Sequence, residues 1–170
     1  IFTMGVGHYT EQDVREAART FTGWNFKGLD FEINALEHDN DSKTFLGHSG
    51  NLDGIDVIDI ILEQKVTSEF IAGKIYGFLA SQKITDDLKA ELGVSLKSKK
   101  YELKPFLKDI LSSQIFYSSP VVATRIKSPV ELVVSTYRKL GLDNLPGTPD
   151  FNYTTGRLGQ RLMHPPTVAG

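Results

Sequence analysis

The segment SPVELVVSTYRKLG, residues 128–141, leaves its backbone one regular choice. Ser128 offers a side-chain oxygen to the free N–H groups of a helix start. Pro129 suits the first helical position, where no N–H is needed, and Glu131 reaches back to complete a capping box. Val130, Val133, Val134, Tyr137 and Leu140 then recur at helical spacing and line one side. Arg138 and Lys139 put positive charge at the negative end of the helix dipole, and Gly141 can end the helix. A good cap adds about 1 kcal/mol. A chain that repeats this grammar is committed to helices packed on one another.

It does repeat it. Thr10 and Asp13 have capping-box spacing, and Val14, Ala17, Ala18 and Phe21 form a stripe that Gly23 can stop. Trp24 is expected to fold back over the last turn of that helix. Asp53 caps a second helix with Asp56 in its first turn, and Ile55, Ile58, Ile61 and Leu62 are its expected buried face. Thr67 is read as the cap of a third, with Val66 stapled to Ile71 and a stripe of Ile71, Ile75, Phe78 and Leu79. Gly73 and Gly77 lie one turn apart in it, on a side where a neighbour could come close. Residues 85–92 read as a short helix ended by Gly93, followed by a basic, polar, mobile loop, SLKSKKYELK. A further helix carries Leu103, Phe106, Leu107, Ile110 and Leu111, with Pro105 in its first turn.

One stretch breaks the helical period. In FEINALEHDNDSKTFLG, Phe31, Ile33 and Ala35 alternate with polar residues, HDNDS is a turn cluster, and KTFLG follows. These are read as two strands of one hairpin. Beyond residue 142, Pro146, Pro149, Pro165 and Pro166 forbid long elements. A loop-rich tail over 142–170 is expected, with one short helix around Thr155–Leu162. The expected fold is mainly α: a compact multi-helix single domain over 1–170, of about six helices with one small inserted β-hairpin.

Composition closes several functional classes. The 170 residues are 40% hydrophobic and 24% charged, too apolar for a disordered chain. The 19 basic and 21 acidic side chains give a net charge of -2, which points to no nucleic-acid partner. Without cysteine there is no disulfide, no thiolate nucleophile and no Cys-ligated metal. The longest apolar run, VIDIIL, is interrupted by Asp59 and is too short to span a bilayer. The first residues carry neither a basic nor an apolar signal-peptide region. The chain starts with Ile1, and it is expected to be the C-terminal half of a longer protein.

Six phrases in order carry a resemblance: GHYTEQDVREAARTFTGW, HDNDSKTFLG, GNLDGIDVIDIIL, FIAGKIYGFL, IKSPVELVV and HPPTVAG. Together they resemble a bacterial family catalogued as domain of unknown function eighteen hundred. The resemblance implies a mostly helical protein, exported to the periplasm or cell envelope, with an exported sulfatase-related protein as partner. It implies no established reaction.

Four constellations could carry chemistry. His38, Asp39 and Asp41, beside Glu37, place oxygen ligands at alternate positions, as a calcium-like divalent cation needs. A hairpin turn whose Asp and Asn side chains cap their own backbone is the commoner use of such a cluster. His8, His38 and His48 could meet at zinc with Asp53 or Asp56, but only if the fold gathers them. Asp56, Asp59 and Glu63 share one helix face, a pattern most often solvated. Phe2, Tyr9, Phe21, Trp24, Phe26 and Phe31 could line a binding groove, with Tyr9 and Trp24 as its binding residues; core packing is the commoner role. No Gly-x-Ser-x-Gly elbow and no third glycine after GVG are present. The leading reading is an exported binding or scaffold module. The alternative is a metal-dependent or hydrolase-like enzyme around His8, His38 and Asp39. An enzyme should gather His and Asp in one pocket; a binding module should expose an apolar or aromatic patch.

Overall fold

A computed structural model describes residues 1–142 and 150–167. The mainly helical architecture holds. Among the described residues there are seven α-helices and two small two-stranded antiparallel sheets. The chain divides into two compact units, Ile1–Val122 and Ala123–Gly170.

In the first unit, α1 (Glu11–Thr20) carries the expected capping box between Thr10 and Asp13. Its inward side is only half the expected apolar stripe: Ala17 and Phe21 pack inward, and Val14 and Ala18 do not. Val14 is exposed, while Glu16 and Thr20 are buried. The helix packs both on the edge of a strand and, through Ala17 and Phe21, on the apolar side of the following helix.

The single hairpin expected from Phe31 to Phe45 is corrected to two. Strand β1 (Trp24–Lys27) pairs with β2 (Asp30–Ile33), and β3 (Lys43–Phe45) pairs with β4 (His48–Gly50). Each pair closes on two residues. Gly28 (φ 66°) opens the first turn, and Leu46 and Gly47 (φ 46° and 83°) form the second. Positive φ at such positions matches the twist of the flanking strands. Phe31 and Phe45 thus belong to different sheets.

Helix α2 (Gly54–Glu63) has the expected cap, with Asp53 accepting from the N–H groups of Ile55 and Asp56. Its buried side is rotated from the expected one: Gly54, Val57 and Ile60 face inward, and Ile55 and Ile58 are exposed. A Cβ on Gly54 would collide with the Trp24 and Phe21 rings, so those rings fix which side faces in. Phe45, Val57 and Ile60 make one small core.

Helix α3 (Lys65–Leu79) starts at Gln64, one turn before Thr67 could cap it. Thr67 is buried inside the helix and donates to the Ile61 carbonyl (2.5 Å). Helix α4 (Asp86–Ser98) runs through Gly93 instead of ending there. A Cβ on Gly93 would lie 2.9 Å from the Glu69 backbone nitrogen, so this glycine is where α3 and α4 cross. The expected mobile loop is instead the last turn of α4 and a tied corner. Tyr101 donates to the Leu62 carbonyl (2.6 Å), and Lys99 pairs with Asp109 (2.6 Å) on α5 (Leu103–Ser112). Ala72, Tyr76, Leu96, Phe106 and Ile110 form the larger core between these helices.

In the second unit, α6 (Pro129–Lys139) has the capping box of Ser128 and Glu131, and Gly141 follows it at φ 65°. Helix α7 (Phe151–Arg157) begins earlier than expected because Asp150 caps it, accepting from the Tyr153 N–H. The Tyr137 and Phe151 rings meet edge to face at 4.9 Å. The loop expected at Pro146 and Pro149 lies outside the described residues.

Candidate functional site

The residues singled out in the sequence fall around α1 and the two hairpins. Strand β3 has an open edge, because β4 covers only one side. Thr44 and Leu46, two apart, turn their N–H groups the same way off that edge. Helix α1 answers with carboxylates one turn apart. Asp13 accepts from Leu46 N–H (2.8 Å) and Glu16 from Thr44 N–H (3.1 Å). Burial raises the Asp13 carboxyl pKa, but the hydrogen bonds from Thr10 and Leu46 outweigh this and hold it below the ordinary value. The polar inward side of α1 therefore stands in for a third strand.

Arg19 links this edge to the 38–41 corner. It grips both Asp39 oxygens, Nε to Oδ2 at 2.7 Å and Nη2 to Oδ1 at 3.3 Å, and donates to Glu16 at 2.9 Å. Asp39 Oδ1 also accepts from Asp41 N–H (2.9 Å), and Asp39 N–H donates to the Thr22 hydroxyl (2.8 Å). The Arg19 guanidinium first, then the Asp41 N–H, hold the Asp39 carboxyl down at about 2. His38 donates from Nδ1 to the Thr22 carbonyl (2.8 Å). A cation at Asp39 would have to displace Arg19. Asp41 and His8 are exposed, and so is His48 on β4. Among the described residues, no group of three or more His, Asp or Glu side chains is placed to hold a metal ion. Asp56, Asp59 and Glu63 face solvent along α2.

Lys43 is the buried exception on β3. Its aliphatic stem lies on the Phe45 side of the strand, and its ammonium donates to the Leu52 carbonyl (2.9 Å) and to Asn51 (3.5 Å). It acts as a tie between β3 and the loop entering α2.

The aromatic set behaves differently from the core expected of it. In the β1–β2 register, Trp24 opposes Ile33 and Phe26 opposes Phe31. Alternation puts all four on one face, with Asn25, Lys27, Asp30 and Glu32 on the other. Trp24 is half-buried, meeting Phe21 (4.9 Å) and Phe31 (5.0 Å) edge to face. The rest of the face is open: Phe26 is 74% exposed, Phe31 60% and Ile33 55%. Leu29 stands fully exposed at the turn, and Phe2 is exposed as well. Tyr9 is half-buried beside the α1 cap. The signal was present in WNFKGLDFEI, where two alternating runs flank a Gly-containing pair.

Comparison with known proteins places the chain in one family. Residues 1–170 match the family described as "Protein of unknown function (DUF1800)", and the chain belongs to it. No curated protein and no solved structure matches the chain.

Proposed function

We propose that this domain is a binding module that docks a partner protein through the apolar face of the β1–β2 hairpin. The observation that carries this reading is the exposure of Phe26, Phe31 and Ile33 side by side, with Leu29 at the tip. Covering a large apolar side chain stabilises a complex by about 1.5–3 kcal/mol. A few such residues carry most of the energy of a typical interface. The opposite face, with Lys27, Asp30 and Glu32, stays solvated. The hairpin thus offers one adhesive side and one wet side, which suits a one-sided contact. The family resemblance suggests the setting and the partner: the periplasm or cell envelope, and an exported sulfatase-related protein.

A photo-crosslinking residue at Leu29 in the protein expressed in its own host tests this. One recurring protein partner is expected, and its yield should fall at least about tenfold when Phe26 and Phe31 are both changed to Ser, the size of one lost anchor. A pattern of crosslinks that the double substitution leaves unchanged would remove the hairpin from the interface.

A further inference from the structure

The two outer edges of the β1–β2 hairpin differ, and the difference bears on what can dock there. Asn34 N–H donates to the Gly23 carbonyl (2.7 Å), so along the register Asn25–Glu32 and Lys27–Asp30 also turn their hydrogen-bonding groups towards each other. The alternate residues Trp24, Phe26, Phe31 and Ile33 turn theirs outward. On β1 the outward donors are taken: Trp24 N–H goes to the Phe21 carbonyl (3.3 Å) and Phe26 N–H to the Asn25 side chain (2.8 Å). On β2 the outward N–H groups of Phe31 and Ile33 have no acceptor among the described residues, where β1 is the only strand beside β2. The domain closes the comparable edge of β3 with Asp13 and Glu16, which accept from Leu46 and Thr44. It supplies no such acceptors at β2. An unpaired strand edge is a template for another extended segment.

The side chains of β2 specify that segment further. Asp30 and Glu32 alternate with Phe31 and Ile33, on the polar face. Both carboxylates are exposed, and neither is in an ion pair among the described residues. A second copy of β2 in that place would set them against their own counterparts, like charge opposite like charge. A strand with basic residues there would meet both carboxylates and put its own apolar residues beside Phe31 and Ile33.

We infer that the partner contributes an extended segment of alternating basic and apolar residues, which adds to β2 as a third strand. Its backbone takes the Phe31 and Ile33 N–H groups, its Lys or Arg side chains lie opposite Asp30 and Glu32, and its apolar side chains lengthen the face of Phe26, Phe31 and Ile33. This mode of contact rests on the proposed docking role of the same face.

The end-capped peptide TKVRVKVT is a probe with that alternation. Titrated into the 170-residue chain and followed by proton–nitrogen NMR, it should bind saturably at millimolar concentration. The Phe31 and Ile33 amide protons should move downfield and exchange more slowly with solvent, and those of Trp24 and Phe26 should not. TEVEVEVT should bind about tenfold more weakly, and Asp30→Asn with Glu32→Gln, both at exposed positions, should shrink that difference to about twofold. Methylating the backbone nitrogens of the valines blocks one edge of the probe, and methylating those of its basic residues blocks the other. An added strand loses binding in one form and keeps it in the other. Equal effects of the two methylated forms, equal affinity for TKVRVKVT and TEVEVEVT, or no saturable shift would overturn the inference. So would a dimer of the chain alone that already protects Phe31 and Ile33, because a second copy would then hold the edge. The docking role is judged separately by the crosslinks from Leu29: if these still depend on Phe26 and Phe31, it stands even where strand addition fails.

Discussion

The two hairpins are built alike and used differently. Each is a pair of short antiparallel strands closed by a two-residue turn. On β3–β4, the apolar residue Phe45 is buried against Val57 and Ile60, Lys43 is tied to the Leu52 carbonyl, and the free N–H groups of β3 go to Asp13 and Glu16. On β1–β2, one strand end is anchored by Trp24, and the other large apolar side chains stand in solvent. A two-stranded sheet is marginal in water unless something covers it. The β3–β4 hairpin is covered by its own domain. The β1–β2 hairpin holds its shape through Trp24, and on the proposed function its cover is another molecule.

This contrast can be broken experimentally. The largest effect is expected at Phe45→Ala, which opens a cavity in the small core and should cost about 3–5 kcal/mol in urea unfolding. A loss below about 1 kcal/mol would mean that β3–β4 is no better anchored than its counterpart. Next comes Glu16→Ala. It strips an acceptor from both Thr44 N–H and Arg19, and about 1–3 kcal/mol should be lost. Unchanged stability there would show that α1 does not serve as the third strand.

A smaller, pH-dependent effect belongs to the corner joining the hairpins. Asp39 has a folded-state pKa of about 2 against an ordinary 3.8. The folded state therefore binds fewer protons at this site than the unfolded state. The Arg19–Asp39 pair stabilises the fold above the ordinary carboxylate range, and that stabilisation is lost as the pH falls from near 4 towards 2. Asp39→Asn should flatten this part of the stability–pH curve while leaving other acid-sensitive steps. A curve that keeps its full slope in the variant would assign the acid sensitivity elsewhere.

What the sequence made legible was local. The capping boxes at Thr10 and Ser128 and the cap at Asp53 need only residues a few positions apart, and all three form as read, Asp56 completing a box at Asp53 as well. What it hid depended on partners distant along the chain. Gly93 looks like a stop by itself, and only the backbone of Glu69 against it shows that it is a crossing point. Ile55 and Ile58 match a buried stripe as well as Val57 and Ile60 do, until Trp24 and Phe21 seat on Gly54 and set the rotation of α2. Beside the apolar Ala17 and Phe21, the inward side of α1 carries Asp13 and Glu16 because they meet backbone N–H groups, and hydrophobic periodicity does not register that. Among the site residues, Asp39 was noticed as a ligand type; its actual partner, Arg19, lies 20 positions away. Trp24 was legible as an anchor, whereas the exposure of Phe26 and Phe31 was not, since large aromatics are usually buried.

The smallest expected change is also the most direct test. In the double variant Phe26→Ser, Leu29→Ser, the free energy of urea unfolding should stay within about 1 kcal/mol of the parent chain with an unchanged denaturant slope, because neither side chain is covered in the isolated domain. A loss of several kcal/mol, comparable with Phe45→Ala, would show that the β1–β2 face belongs to the domain's own core and would contradict its role as a docking surface.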